Sequence, residues 1–209
     1  MTTPSLRPYQ VDSVNQLRQH FRDGSIRPVL VSPTGAGKTT VANHIIEGAV
    51  AKGGRAVFLA ARRELVHQAS NRITTRHGVI LAGNRRVDPD APVQVASVQT
   101  LLNRDLPWEP TLIVLDECHH STAKTHQELL QRYPRTPVIG LSATPCRSTG
   151  LGLADYFTSM VQSIGISSLI QQGYLVPVRH LRPPEQGKSL YSDPIEMWQR
   201  YAKDQPTMA

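Results

Sequence analysis

Apolar and polar positions alternate along this chain in two rhythms. After Pro8, the residues Val11, Val14, Leu17 and Phe21 recur at helical spacing, and Gly24 closes the pattern. Val29-Leu30-Val31 is an unbroken apolar run, which reads as a short buried strand. A glycine-bearing loop follows. Val41, Ala42, Ile45, Ile46, Ala49 and Val50 then repeat at helical spacing up to Gly53-Gly54. The next strand is predicted at Ala56–Ala60 and the next helix over residues 62–76. Further strands fall at Val79-Ile80-Leu81, at residues 93–96, at Leu112–Leu115 and at residues 138–141, with a polar helix over about residues 121–133. Strands that are apolar throughout, each followed by a helix, predict an α/β fold: a parallel β-sheet flanked by helices on both faces. Beyond Pro145 the pattern weakens. It predicts a short helix at residues 166–172 closed by Gly173, an edge strand at 175–178, a linker over 182–188 and a last helix whose face is Ile195, Trp198 and Tyr201.

Two segments at predicted strand ends carry phosphate chemistry. The first is Ser32-Pro33-Thr34-Gly35-Ala36-Gly37-Lys38-Thr39-Thr40, between a strand and a helix. Gly35 and Gly37 allow backbone amides to approach phosphate oxygens, and a helix beginning near Lys38 adds its dipole and free amides. Lys38 supplies charge to the β- and γ-phosphates, and the Thr39 hydroxyl can ligate Mg²⁺. The strict pattern has glycine where this chain has Ser32. The second segment is Asp116-Glu117-Cys118-His119, after the most apolar strand. There Asp116 suits the Mg²⁺ shell and Glu117 suits polarising an attacking water. A solvated acidic turn is the plain alternative for that segment taken alone.

Weaker signals lie at other strand ends. Ser142-Ala143-Thr144 is a hydroxyl pair of a kind common in turns. Arg7-Pro8-Tyr9-Gln10 precedes the first helix, and a glutamine can read the N6 and N7 edge of adenine, although the proline alone accounts for a helix entry. Arg62 to Gln68 and Ser97-Val98-Gln99-Thr100 place basic groups, amides and hydroxyls where a nucleic-acid backbone can be held, or where ordinary helix caps sit. Cys118, His119 and His120 are adjacent and lack zinc-ligand spacing. Cys146 has no identifiable base near it in sequence and reads as structural.

Composition narrows the class. The 209 residues suit one domain with a short extension, and 39% apolar with 19% charged is globular composition. No run approaches a membrane span, residues 1–7 carry no secretory signal, and two cysteines make no disulfide scaffold, so the chain is expected in the cytoplasm. A net charge of +7 suits a polyanionic partner.

The order and spacing of these segments resemble the first RecA-like domain of superfamily 2 helicases. The likeness is greatest to the bacterial and phage DEAD/DEAH-type group related to type III restriction subunits and DNA repair helicases. It covers about residues 6–180. Through that resemblance, Arg7 and Gln10 correspond to the adenine-recognising Q motif. Pro33, Thr34, Gly35, Ala36, Gly37, Lys38, Thr39 and Thr40 correspond to motif I. Arg63, Glu64 and Gln68 match motif Ia, and Ser97, Gln99 and Thr100 match the next motif that contacts the nucleic-acid backbone. Asp116, Glu117 and His119 match motif II, with catalytic roles implied for Lys38, Asp116 and Glu117. Ser142 and Thr144 match motif III, which with His119 couples nucleotide state to domain motion. The resemblance implies ATP and Mg²⁺ as cofactors, with Thr39 and Asp116 on the metal, and DNA before RNA as partner, in a bacterial cell or phage-infected host.

The expected organisation is an ATP-binding RecA-like domain at residues 1–182, with residues 183–209 leading toward a second RecA-like domain. The family's arginine-finger motif, Gln-x-x-Gly-Arg-x-x-Arg, does not occur here. A truncated chain, a split gene product or a remnant is therefore expected, with weak hydrolysis in isolation, since such fingers contribute about 10³–10⁵ in rate in related NTPases. A non-catalytic nucleic-acid-binding module, an RNA helicase domain and a P-loop ATPase of another class are the alternatives at this point.

Overall fold

The computed structural model describes residues 5–83, 88–106, 108–120, 123–145 and 153–177, with the side chains at 120, 123, 126 and 127 also outside the description. The chain divides into two compact units, Met1–Leu175 and Val176–Ala209. Nearly all of the second lies outside the described residues, as do Cys146, the linker over 182–188 and the last predicted helix.

The first unit begins with α1 (Pro8–Arg22), where Pro8 takes the first helical position, whose missing N–H costs nothing. It continues through β1 (Pro28–Val31), α2 (Lys38–Val50), β2 (Ala56–Ala60), α3 (Arg63–Arg72), β3 (His77–Ile80) and β4 (Val93–Ser97). Then follow α4 (Val98–Leu102), β5 (Leu112–Leu115), a 3-10 turn at Cys118–His120, α5 (Ala123–Arg132), β6 (Val138–Ser142), β7 (Ser159–Gln162) and α6 (Ile166–Gln171). The strands form one seven-stranded sheet in the order β3-β4-β2-β5-β6-β1-β7. Every neighbouring pair is parallel.

Strand burial explains the apolar runs. Every residue of β1, β2, β4, β5 and β6 is buried, because helices cover both faces. Alternate residues feed two cores. Leu30, Phe58, Val114 and Leu141 join Leu17, Ile46 and Val66 from α1, α2 and α3. Val29, Val57, Leu59, Ile113 and Leu115 join Leu101, Leu129, Tyr133 and Phe157 on the other face. Since all strands run one way, the loops that follow them gather along a single edge of the sheet. Register aligns those loops: Val31 lies beside Ser142, Leu59 beside Leu115, and Ala60 beside Ser97.

Two expectations change. The helix predicted over 62–76 stops at Arg72, where Ile73 turns extended (ψ 119°) and buries its side chain, and the β-branched run Ile73-Thr74-Thr75 does not continue it. The strand predicted at 175–178 is absent over Leu175 to Pro177, the described part, and Val176 is 81% exposed. The last strand of the sheet is instead β7, which pairs with β1. Among the described residues, no helix is long and apolar enough to cross a membrane.

Candidate functional site

The loop after β1 is built around glycine. Gly35 and Gly37 have φ of +82° and +84°, a region other residues adopt at a cost. Gly37 is also the N-cap of α2 and offers no side chain to occupy the helix's first amides. Behind the loop, Tyr9 Oη and Gln10 Nε2 both donate to the Ala36 carbonyl at 2.9 Å. Gln10 Oε1 accepts from the Arg7 backbone N–H, also at 2.9 Å. Gln10 is 4% exposed, and both ends of its amide help to fix the loop against α1. A Cβ at Gly37 would collide with Gln10 Nε2 and displace it from the Ala36 carbonyl, so packing adds to the backbone's preference for glycine there.

Lys38 begins α2 with its ammonium turned into this loop, 8% exposed. Nζ donates to the Ser32 carbonyl at 3.2 Å and lies 3.7 Å from Glu117 Oε1. Ser32, the departure from the glycine pattern, is buried and its N–H donates to the Ser142 carbonyl. Thus the loop after β1 is stitched to the end of β6. Thr39 and Thr40 are half-buried, Pro33 is half-buried, and Thr34 is exposed.

β5 delivers the acidic pair. Asp116 N–H donates to the Leu59 carbonyl, which extends the β2–β5 pairing by one step. The backbone then breaks: Glu117 has φ +44°, the one positive φ of a non-glycine among the described residues. Such strain in a glutamate persists only where the surroundings enforce it, and it is concentrated at functional sites. Its carboxylate bridges two groups, with Oε1 toward Lys38 and Oε2 3.4 Å from His119 Nδ1. His119 Nδ1 is 2.9 Å from Ser142 Oγ. Ser142 Oγ donates to the Thr144 carbonyl at 2.5 Å and accepts from the Thr144 N–H at 3.1 Å. One continuous chain, Lys38, Glu117, His119, Ser142 and Thr144, therefore links the loops after β1, β5 and β6.

Burial, and next the Glu117 carboxylate, raise the Asp116 pKa from 3.8 to about 6, against smaller lowering effects from the Glu117 N–H, Lys38 and Arg72. Two carboxylates pressed together beside one lysine are a donor set that a divalent cation would relieve, and Thr39 lies in the first turn of α2, next to Lys38 in sequence. Among the described residues, no cluster of histidine, cysteine and acid side chains has metal-site geometry of its own. Cys118 is fully buried in the core under β6, which fits a structural role.

The remaining expected residues sit at the ends of β2 and β4, on the other half of the sheet edge. Arg63, Glu64 and Gln68 on α3 are exposed. Ser97 is the N-cap of α4: its hydroxyl accepts from the Thr100 N–H at 3.2 Å and donates to Thr100 Oγ1 at 2.6 Å. That is the ordinary helix cap left open above. Gln99 is exposed between them. The sequence reading missed Tyr174 and Leu175, which pack with Tyr9 and Ala36 around the fully buried Leu169. The strand predicted at 175–178 begins at Leu175, and Tyr174 falls between it and the Gly173 stop, so the apolar pattern signals neither contact.

A parallel sheet with a glycine loop after one strand, an acidic pair after another and a hydroxyl turn between them defines a RecA-like P-loop NTPase domain of the helicase type. The family model for the type III restriction enzyme, res subunit, matches residues 3–147, and the chain belongs to that family. A 51.5 kDa protein of a Lactococcus phage is 34% identical over 157 residues, covering 75% of this chain and 32% of its own length. The putative ATP-dependent helicase IRC3 of Saccharomyces cerevisiae is 31% identical over 195 residues, covering 83% of this chain and 28% of its own length. The UvsW helicase of bacteriophage T4 shares the fold, with a TM-score of 0.61 at 20% identity over 75% of this chain and 59% of that one. The chain spans about a third or less of the length of the relatives it matches.

Proposed function

We propose that residues 1–182 are the N-terminal ATPase domain of a nucleic-acid helicase or translocase, and that residues 183–209 lead toward a second RecA-like domain, in this chain or another, that completes the ATP site. The proposed setting is the cytoplasm of a bacterial or phage-infected cell. The observation that carries this reading is the chain from Lys38 through Glu117, His119 and Ser142 to Thr144. It joins the group suited to phosphate charge, the group suited to water and the turn that follows β6.

In this reading Gly35, Ala36, Gly37 and the first turn of α2 receive the triphosphate, and Lys38 leaves the Ser32 carbonyl for the β- and γ-phosphate oxygens. Glu117 orients water for in-line attack on the γ-phosphorus and accepts its proton. Thr39 and Asp116 would hold Mg²⁺, which when bound supplies charge neutralisation at the phosphates. His119, Ser142 and Thr144 pass the state of the site to the domain's surroundings. Arg63, Gln68, Gln99 and Thr100 contact the backbone of a nucleic acid, with Ser97 fixing their helix. DNA is favoured over RNA because the family is named for restriction enzymes, and the positive net charge suits either.

The test is ATP hydrolysis by this chain with and without single-stranded DNA, beside Glu117→Gln. Turnover that rises with DNA and falls by about 10²–10⁴ in the variant supports the assignment. Equal turnover in both proteins removes Glu117 from the chemistry. ATP and DNA binding without turnover supports a half-site that needs the second domain.

A further inference from the structure

α4 is little more than one turn of helix, five residues from Val98 to Leu102, and it carries Gln99 and Thr100. A helix that short does not hold itself, because nucleation costs more than its few hydrogen bonds return. Both of its ends are held by side chains. Ser97 caps the start. The end is held by Arg132, the last residue of α5. Arg132 Nη1 donates to the carbonyls of Leu101 at 2.7 Å and Leu102 at 3.1 Å. Nη2 donates to the Arg104 carbonyl at 2.8 Å and to Asp105 Oδ1 at 2.5 Å. One guanidinium thus spans four acceptors on α4 and the turn that leaves it, a task that suits its rigid planar fork of donors. The Arg132 side chain is 24% exposed, and its guanidinium carbon lies 5.7 Å from the centroid of the Tyr133 ring. Leu101 of α4, Leu129 of α5 and Tyr133 are buried in one core, so the two helices are packed as a block.

We propose that Arg132 is the positioning residue for the nucleic-acid contacts of α4, and that through it α5 carries the state of the nucleotide site to Gln99 and Thr100. This rests on the ATP and nucleic-acid reading above. α5 begins at Ala123, three positions after the 3-10 turn whose His119 faces Glu117 and Ser142. Its ten residues span about 15 Å as one rigid strut, with Arg132 at the far end. The sheet is a poorer path. β4, which leads into α4, is separated from β5 by β2, and all three strands are buried throughout. A close-packed strand does not shift without its neighbours, whereas a helix lying on a sheet slides or tilts by about 1–2 Å. A shift of α5 draws the end of α4 with it, because the Arg132 bonds join them, and it re-aims Gln99 and Thr100 against a phosphodiester backbone. The competing role is static, in which Arg132 caps α4 equally in every nucleotide state.

The test is single-stranded DNA affinity of the full chain by fluorescence anisotropy, with and without saturating Mg·ATP, beside Mg·ATP affinity without DNA. Glu117→Gln is present throughout, so that ATP persists, and thermal unfolding checks each fold. The ratio of the two DNA affinities is the coupling factor, about fivefold or more before Arg132 is changed. Arg132→Met keeps the aliphatic stem and removes every donor. It weakens DNA binding several-fold and brings the coupling factor below about twofold, while Mg·ATP affinity without DNA stays unchanged. Arg132→Lys keeps the charge but not the fork, folds as the parent does and gives an intermediate factor. DNA affinities that fall equally with and without Mg·ATP mean a static cap, and they overturn the proposal. An Arg132→Met protein that binds DNA and couples like its parent overturns it as well. Should Arg132→Met not fold, Arg132→Lys decides alone, and an undiminished factor there overturns the proposal. A parent in which neither ligand affects the other overturns the underlying reading, an outcome distinct from these.

Discussion

The edge of the sheet where the strands end has two halves built on different principles. In the β1, β5 and β6 half, candidate groups hold one another: Lys38 is held by Ser32 and Glu117, His119 by Ser142, and Gln10 by Ala36. In the β2 and β4 half, Arg63, Gln68 and Gln99 extend into solvent, and only Ser97 and Thr100 are tied together. A phosphoryl-transfer site must have its charges in place before reaction, since preorganisation is what lowers the barrier. A surface that follows a polyanion works by charge and reach, and gains little from being fixed in advance. The first half is accordingly fixed by hydrogen bonds and ion pairs, and the second is open to solvent.

The comparison can be broken at several points. The largest effect belongs to Lys38→Ala, which removes the one buried cation of the loop. Mg·ATP affinity in fluorescence titration falls by about a hundredfold, in keeping with a charge-assisted contact in a partly dry site, and DNA affinity does not follow it. A variant that bound ATP like the parent would detach Lys38 from the nucleotide.

Next is Asp116→Asn, which tests the electrostatic strain of the first half. The folded-state pKa of Asp116 is about 6 against 3.8 when unfolded, so the folded protein binds the extra proton between those values. This group's contribution to stability therefore falls as pH rises from about 4 to 6, and above that window the ionised carboxylate is a net cost. Asparagine keeps the oxygen that accepts the Glu117 N–H. The variant should be more stable than the parent at pH 7.5 without metal, on the order of 2 kcal/mol in urea unfolding, with the difference vanishing near pH 4. A variant less stable at pH 7.5 contradicts the cause given for the shift.

Ser97→Ala tests whether the second half holds any structure of its own. Loss of the α4 cap costs about 1 kcal/mol in urea unfolding, whether or not DNA is bound. Arg63→Ala gives the smallest change. It leaves thermal stability alone, weakens single-stranded DNA binding a few-fold and lowers the salt slope by about one counterion. A slope unchanged in Arg63→Ala moves the nucleic-acid path away from α3.

Legibility in the sequence followed burial. β2 and β5 were found to the residue, because strands covered on both faces must be apolar throughout, and the loops after β1 and β5 follow from them. β7 was missed because it is an edge strand that buries only Val161, so Ser159-Met160-Val161-Gln162 shows no apolar run. Leu175 and Val176 misled for the opposite reason. They look like a strand, but Leu175 packs on Gly35 and Val176 is exposed. The residue types of the nucleotide half were readable from motif spacing. Their mutual arrangement was not, because the links from Glu117 to Lys38 and from His119 to Ser142 depend on strand order and register, which no local pattern encodes. Gln10 shows the same limit: its residue type suits a base reader, and no local pattern shows that it also ties the phosphate loop to α1.

The central claim is that one domain couples a nucleotide site on one half of the sheet edge to a nucleic acid on the other. The direct measurement is single-stranded DNA affinity of the Glu117→Gln protein at fixed salt, with and without saturating Mg·ATP, together with ATP affinity with and without DNA. The account predicts that each ligand changes the affinity of the other by the same factor, about fivefold or more. Two ligands that bind with no mutual effect would contradict it.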